Sequence, residues 1–112
     1  MRFVTQTSGK AKITWKQTSM DTAAGLTAAN IVGAAGQNAI GVLITNETND
    51  IRFTLDGSHD PEGSGGDDFG HVLAKDESIA LNDPGQIQNF KFVSKTAGSH
   101  GVIHVTSFFN RL

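Results

Sequence analysis

Four histidines and a carboxylate-rich loop are the residues whose types and spacing invite chemistry. His59 is followed by Asp60, and His71 comes shortly after the pair Asp67-Asp68. Imidazoles and carboxylates are ligands for divalent ions. Their spacing here matches no ligand motif, however, and the glycine-rich loop lacks the fixed oxygens of a calcium hand. Ser58-His59-Asp60 holds the three residue types of a hydrolase triad, but consecutive residues do not converge as groups from separate elements do. Gly63-Ser64-Gly65-Gly66 has the glycine content of a phosphate loop without the Lys-Ser/Thr that completes one. Asp67-Asp68 offers an acid and a base, yet adjacent carboxylates in a polar loop both stay ionised. The expectation is a protein that is not an enzyme and carries no metal and no cofactor. His100 and His104 flank Gly101, with His104 turned outward between Ile103 and Val105 as a surface strand histidine. Together the histidines offer a change of surface charge near pH ~6.

The elements that must position these groups are short. Ile40-Val42-Ile44, Ile51-Phe53-Leu55, Ile79-Leu81, Phe90-Phe92 and Ile103-Val105 each place apolar side chains two residues apart. That period puts them on one face of a pleated strand. Lys12 to Lys16 alternates in the same way, so Ile13 and Trp15 are expected inward, the indole N–H reaching a backbone carbonyl. Ile40 to Thr45 and Ile51 to Asp56 read as a hairpin across Asn46 to Asp50, whose residues suit turns. A long loop runs from Ser58 to Phe69; connections of this length are usually functional or mobile. His71 to Leu73 and Ser78 to Leu81 follow, separated by a turn at Lys75-Asp76-Glu77. A Pro-Gly turn at Asp83-Pro84-Gly85 leads into Ile87 to Val93, and Val102 to Phe109 closes the chain. Thr22 to Gly36 is rich in both alanine and glycine, which pull in opposite directions. It reads as a loop or short strand crossing over the sandwich, with a helical turn at Thr27 to Val32 as the alternative.

The count predicts an all-β, jelly-roll-like antiparallel sandwich of about eight strands. Its 112 residues form one domain, with 1–37 as N-terminal strand and crossover and 38–112 as the sandwich core. A chain this long buries about two-thirds of its unfolded surface and folds without disulfide or metal, in keeping with its lack of cysteine. The formal charge of −2 argues against general nucleic-acid binding. No stretch has the ~20 apolar residues that span a membrane, and no apolar h-region follows Met1-Arg2. Asn46-Glu47-Thr48 matches a glycosylation acceptor, read here as chance.

Charge is segregated. Met1 to Met20 carries Arg2, Lys10, Lys12 and Lys16 and no acid, whereas Asp56 to Glu77 holds seven acids against Lys75 alone. Such a surface is suited either to plain solvation or to meeting a complementary patch. Phe108 and Phe109 are adjacent and so point to opposite faces of a strand. With Arg111 and Leu112 they read either as an interface anchor or as the closed bottom of the sandwich.

The chain resembles a diffuse group of small phage virion proteins, the β-sandwich decoration and adaptor proteins. The likeness is carried by Gly41 to Asn46, Ile51 to Ser58, Gly70 to Leu73 with Ser78 to Leu81, Phe90 to Val93, and the ending Val102 to Phe109. What it implies is a structural role in the virion, assembled in the host cytoplasm: a capsid decoration (cement) protein, or alternatively a head–tail or tail adaptor. The implied partners are the major capsid protein or other virion proteins and further copies of the chain, with no nucleic acid and no membrane. On this reading Arg2, Lys10, Lys12, Lys16, Phe108, Phe109, Arg111 and Leu112 form the interface. The acidic loop of Asp60, Glu62, Asp67 and Asp68 faces outward or meets the lysines of the next copy. A soluble carbohydrate-binding module using Ser58 to Phe69 is the alternative from another class, disfavoured by a single tryptophan and no tyrosine.

Overall fold

A computed structural model describes residues 9–33 and 36–110. Its elements are β1 (Lys10–Thr18), β2 (Ala24–Gly25), α1 (Ala28–Ile31), β3 (Gly41–Asn46), β4 (Ile51–Thr54), β5 (His71–Leu73), β6 (Ser78–Leu81), α2 (Pro84–Asn89), β7 (Lys91–Ser94) and β8 (Val102–Phe109). They form two four-stranded sheets, ordered β1-β8-β3-β6 and β2-β7-β4-β5. All pairs are antiparallel. The pairs β1·β8, β2·β7, β3·β6 and β4·β5 nest one inside the next, like a long ribbon folded at its middle. Adding β3·β8 and β4·β7 rolls that ribbon into two layers. This is the strand order of a jelly roll, and the fold is an all-β sandwich as the strand count predicts.

The expected hairpin between Ile40–Thr45 and Ile51–Asp56 does not form. β3 pairs with β6 and β8, whereas β4 pairs with β5 and β7. The four residues between them, Glu47 to Asp50, cross from one sheet to the other. Asn46 pins this corner: wholly buried, its amide donates to the carbonyls of Asn49 and Leu73 at 2.8 and 2.9 Å. The buried amide is thus part of the fold and not presented as a glycosylation acceptor. β5 and β6 likewise occupy different sheets, joined by a turn in which Asp76 adopts φ 67°. Period-two patterning tells which side chains point inward, but a sandwich lets two inward faces meet across the core as readily as side by side.

Ile87 to Val93 is not one strand. Asp83 accepts a hydrogen bond from the Gln86 N–H at 3.1 Å and caps α2, with Pro84 in the first turn where its missing N–H costs nothing. Ile87 sits in that helix, fully buried, and β7 starts only at Lys91. Between Thr22 and Gly36 both alternatives occur in miniature, a two-residue strand and a one-turn helix.

The core gathers Val42, Ile44, Ile51, Phe53, Leu73, Leu81, Ile87, Phe90, Phe92, Ile103, Val105 and Phe109. Phe90 lies 5.6 Å from Phe53 and 5.8 Å from Phe92, ring centre to ring centre. Edge strand β1 departs from expectation. Ile13 is 39% exposed, because β2, its counterpart in the second sheet, is only two residues long and leaves that part of β1 uncovered. Trp15 is half-buried, and its indole N–H donates to the Gln17 side chain at 2.8 Å instead of a backbone carbonyl. Gln17 also accepts from the Thr27 N–H and donates to the Gly25 carbonyl, tying β1 to β2.

Candidate functional site

The sequence-local chemistry disperses in three dimensions. Ser58 donates its hydroxyl to Asp56, His59 lies 3.7 Å from Glu62, and Asp60 holds the Lys91 ammonium at 3.1 Å. The three residues of the apparent triad thus face three different partners. Among the described residues, no group of three or more His, Cys, Asp or Glu side chains is placed to hold a metal ion. No described helix is long and apolar enough to cross a membrane.

A different serine and histidine do meet, and nothing in their spacing signals it. Ser94 Oγ is 2.8 Å from His100 Nδ1 and 2.8 Å from Ser19 Oγ, which accepts from the Gly101 N–H at 2.7 Å. Asp21 Oδ1 approaches the same His100 nitrogen at 4.0 Å. A relay needs the serine and the carboxylate on opposite ring nitrogens; here both address Nδ1. Ser94 and Ser19 are 2% and 1% exposed. The cluster is a buried clamp joining the ends of β1, β7 and β8.

The residues expected at an interface divide. Lys10, Lys12 and Lys16 lie on β1, whose outer edge has no strand partner among the described residues. A bulge between Ala11 and Ile13 interrupts that edge at Lys12, and lysines and bulges both discourage strand-to-strand addition. Lys12 places its ammonium 4.8 Å from the centre of the Phe109 ring. Phe109 points inward and joins the core, while Phe108 points outward and stays half-buried, so the pair resolves to one face each. Arg2, Arg111 and Leu112 lie outside the described residues.

Register places Thr14, Lys16 and Thr18 of β1 on the outer face of the first sheet with His104, Thr106 and Phe108 of β8. Leu43 and Thr45 of β3 and Ser78 and Ala80 of β6 complete it. Small, hydroxyl-bearing and apolar side chains make up this surface, with Lys16 and His104 as its ionisable groups. Hydroxyl pairs knit it together: Thr14 with Thr106 at 2.7 Å and Thr45 with Ser78 at 2.8 Å. His104 lies outward as expected, 3.5 Å from Glu47.

The second sheet's outer face is covered in part by the acidic loop, and Val72 on the edge strand β5 stays exposed there. Val93 stands opposite Arg52 on that face, away from the core phenylalanines, yet is only 2% exposed. The loop approaches the end of β7 through Gly63, where a Cβ would collide with the Ser94 carbonyl, and Pro61 is buried within it. Ser64 donates its N–H to Lys95 and accepts from Ala97 N–H, both at 2.8 Å. Glu62 and Phe69 exchange two backbone hydrogen bonds at 2.9 and 2.8 Å. The loop is therefore docked along its length, with Asp60, Asp67 and Asp68 exposed and Glu62 half-exposed. At its end lies a cleft of about 400 Å³ lined by Thr54, Leu55, Asp56, Phe69, Gly70 and His71. The Asp56 carboxyl is held below its ordinary pKa chiefly by the Ser58 hydroxyl and backbone N–H that donate to it.

No protein-family model, curated protein or solved structure matches the chain.

Proposed function

We propose that this chain is a virion structural protein, and within that class a capsid decoration protein that binds the shell surface and neighbouring copies without catalysing a reaction. The observation that carries the reading is the outer face of the first sheet. It is a hydroxyl-knit surface with Leu43 and Phe108 among small side chains and few charges, while the loop already lies against part of the second sheet's outer face. Depletion of charge with retained aromatic and aliphatic groups is what the centre of a protein–protein interface requires. Jelly rolls also recur among capsid and lectin domains, which agrees with the reading at the level of fold. The test is Leu43→Glu, which places an acid in the middle of that face and outside the core. Cosedimentation with shells assembled without the protein should fall at least about tenfold, the equivalent of ~1.4 kcal/mol. Undiminished binding by the variant contradicts the assignment of this face.

A carbohydrate-binding module remains the second reading because one observation favours it: Phe69, at the end of the loop, exposes 43% of its surface beside a cleft. Specific retention on a glycan array, lost in Phe69→Ala, would decide for it. A head–tail adaptor differs from a decoration protein in its copy number on the particle.

A further inference from the structure

We propose that the cleft between Thr54–Asp56 and Phe69–His71 seats a lysine ammonium group presented by the β1 edge of a second copy of this chain. This rests on the decoration reading and deepens it by naming how neighbouring copies meet.

The cleft is built for a cation. Phe69 stands as a fixed platform: its backbone is locked to Glu62 by two hydrogen bonds, and Gly70 follows at φ 120°, a conformation that favours glycine, with the Phe53 carbonyl 3.0 Å from where a Cβ would sit. His59 packs beside the ring at 4.2 Å between centres, leaving the 43% that remains exposed turned elsewhere. An exposed phenyl face attracts an ammonium ion through its quadrupole. Asp56 supplies a carboxylate whose direction is set by the Ser58 N–H at 3.2 Å and hydroxyl at 2.8 Å. Those bonds leave further lone pairs free to accept. Thr54, only 7% exposed, lines the same cleft with a hydroxyl that has no partner among the described residues. A buried hydroxyl without a partner calls for one.

The surrounding field has the same sign. Asp56, Asp60, Glu62, Asp67 and Asp68 are set against Lys91, which Asp60 already holds, and Arg52, which donates to the Gly70 carbonyl at 2.9 Å. Acids outnumber these cations, so an incoming positive charge is drawn in and a phosphate or carboxylate repelled.

The complementary group is on the same chain. Lys10 and Lys16 are exposed on β1, make no ion pair among the described residues, and lie on a strand without an acid. Lys12 already shows the contact in miniature on the Phe109 ring. The lysines belong to the first sheet and the cleft to the second, so the contact joins two different patches. Such a heterologous contact grows into rings or chains, as copies tiled over a shell require.

The experiment is sedimentation velocity of the full chain over a concentration series at low and high salt. Wild type should self-associate at low salt and dissociate at high salt, since exposed charge pairs are screened. Phe69→Ala, at an exposed position, and the double substitution Lys10→Gln with Lys16→Gln should each weaken association at least about tenfold. Mixed together the two variants should form a one-to-one complex, because one supplies lysines and the other an intact cleft. n-Butylamine should dissolve the wild-type assembly where 1-butanol and glucose do not. A monomeric wild type, association indifferent to both sets of substitutions, failure of the mixture to complement, or equal competition by the neutral compounds would each overturn the proposal. A monomeric chain that still coats shells would remove this contact while leaving the decoration reading in place.

Discussion

Ser94 Oγ lies 2.8 Å from His100 Nδ1, and through Ser19 the same hydroxyl reaches the Gly101 N–H. With the Ser94 hydroxyl donating to the imidazole, Ser19 donates to Ser94 and accepts from Gly101, so both buried hydroxyls of the clamp are satisfied. Ser94→Ala leaves Ser19 and Nδ1 without that partner and is expected to cost about 1–3 kcal/mol. A thermal-melt double-mutant cycle with Ser19→Ala should return a coupling of about 0.5–3 kcal/mol. Strictly additive effects would show that the clamp is not one network.

Helix α2 carries a second test. Ile87 is fully buried from within this helix, and Asp83 caps it. Ile87→Ala should cost about 2–5 kcal/mol and Asp83→Ala about 0.5–2 kcal/mol, read by urea unfolding. A silent Asp83→Ala would contradict the cap.

Gly63 lets the acidic loop settle against the end of β7. Gly63→Ala forces a methyl group against the Ser94 carbonyl, so the loop must lift. Hydrogen exchange should quicken at Ser64 and Ala97, whose amides are bonded across this contact, with the central strands β3 and β8 unchanged. Unaltered exchange in the loop would mean that its docking does not depend on this approach.

Asp56 gives the pH dependence. Its carboxyl is held below the ordinary 3.8 by the Ser58 hydroxyl and N–H. A carboxyl whose pKa is lower folded than unfolded contributes stability above the unfolded value and loses it as pH falls through the folded one. The Asp56–Ser58 contact is therefore intact above pH 3.8 and gives way in more acid solution. In Ser58→Ala the Asp56 pKa should rise, as followed by the carboxyl carbon shift in NMR titration. A titration curve unmoved by the substitution would assign the depression to another cause.

The all-β sandwich was legible because alternation is local: Val42 and Ile44, or Ile103 and Val105, declare their inward face from neighbouring residues alone. Which sheet a strand joins is not local. Asn46 reads as a turn residue, yet its buried amide turns the chain from one layer to the other by reaching Leu73, far along the sequence. The α2 helix was legible in principle, since Asp83-Pro84 followed by Gln86 is a helix start. The adjoining Pro84-Gly85 pair and the apolar run of Ile87, Phe90 and Phe92 favoured turn and strand instead. Of the site residues, that Phe108 and Phe109 face opposite ways followed from their adjacency, while which of them enters the core did not. The Ser94–His100 clamp and the Thr54–Phe69 cleft did not, because each joins segments that only the rolled topology brings together.

Quantitative mass spectrometry of purified particles counts copies of this chain per virion. A decoration protein should be present in on the order of hundreds of copies, as a protein repeated over a symmetric shell must be. About a dozen copies would place it at the head–tail junction, and its absence from particles would contradict the virion role altogether.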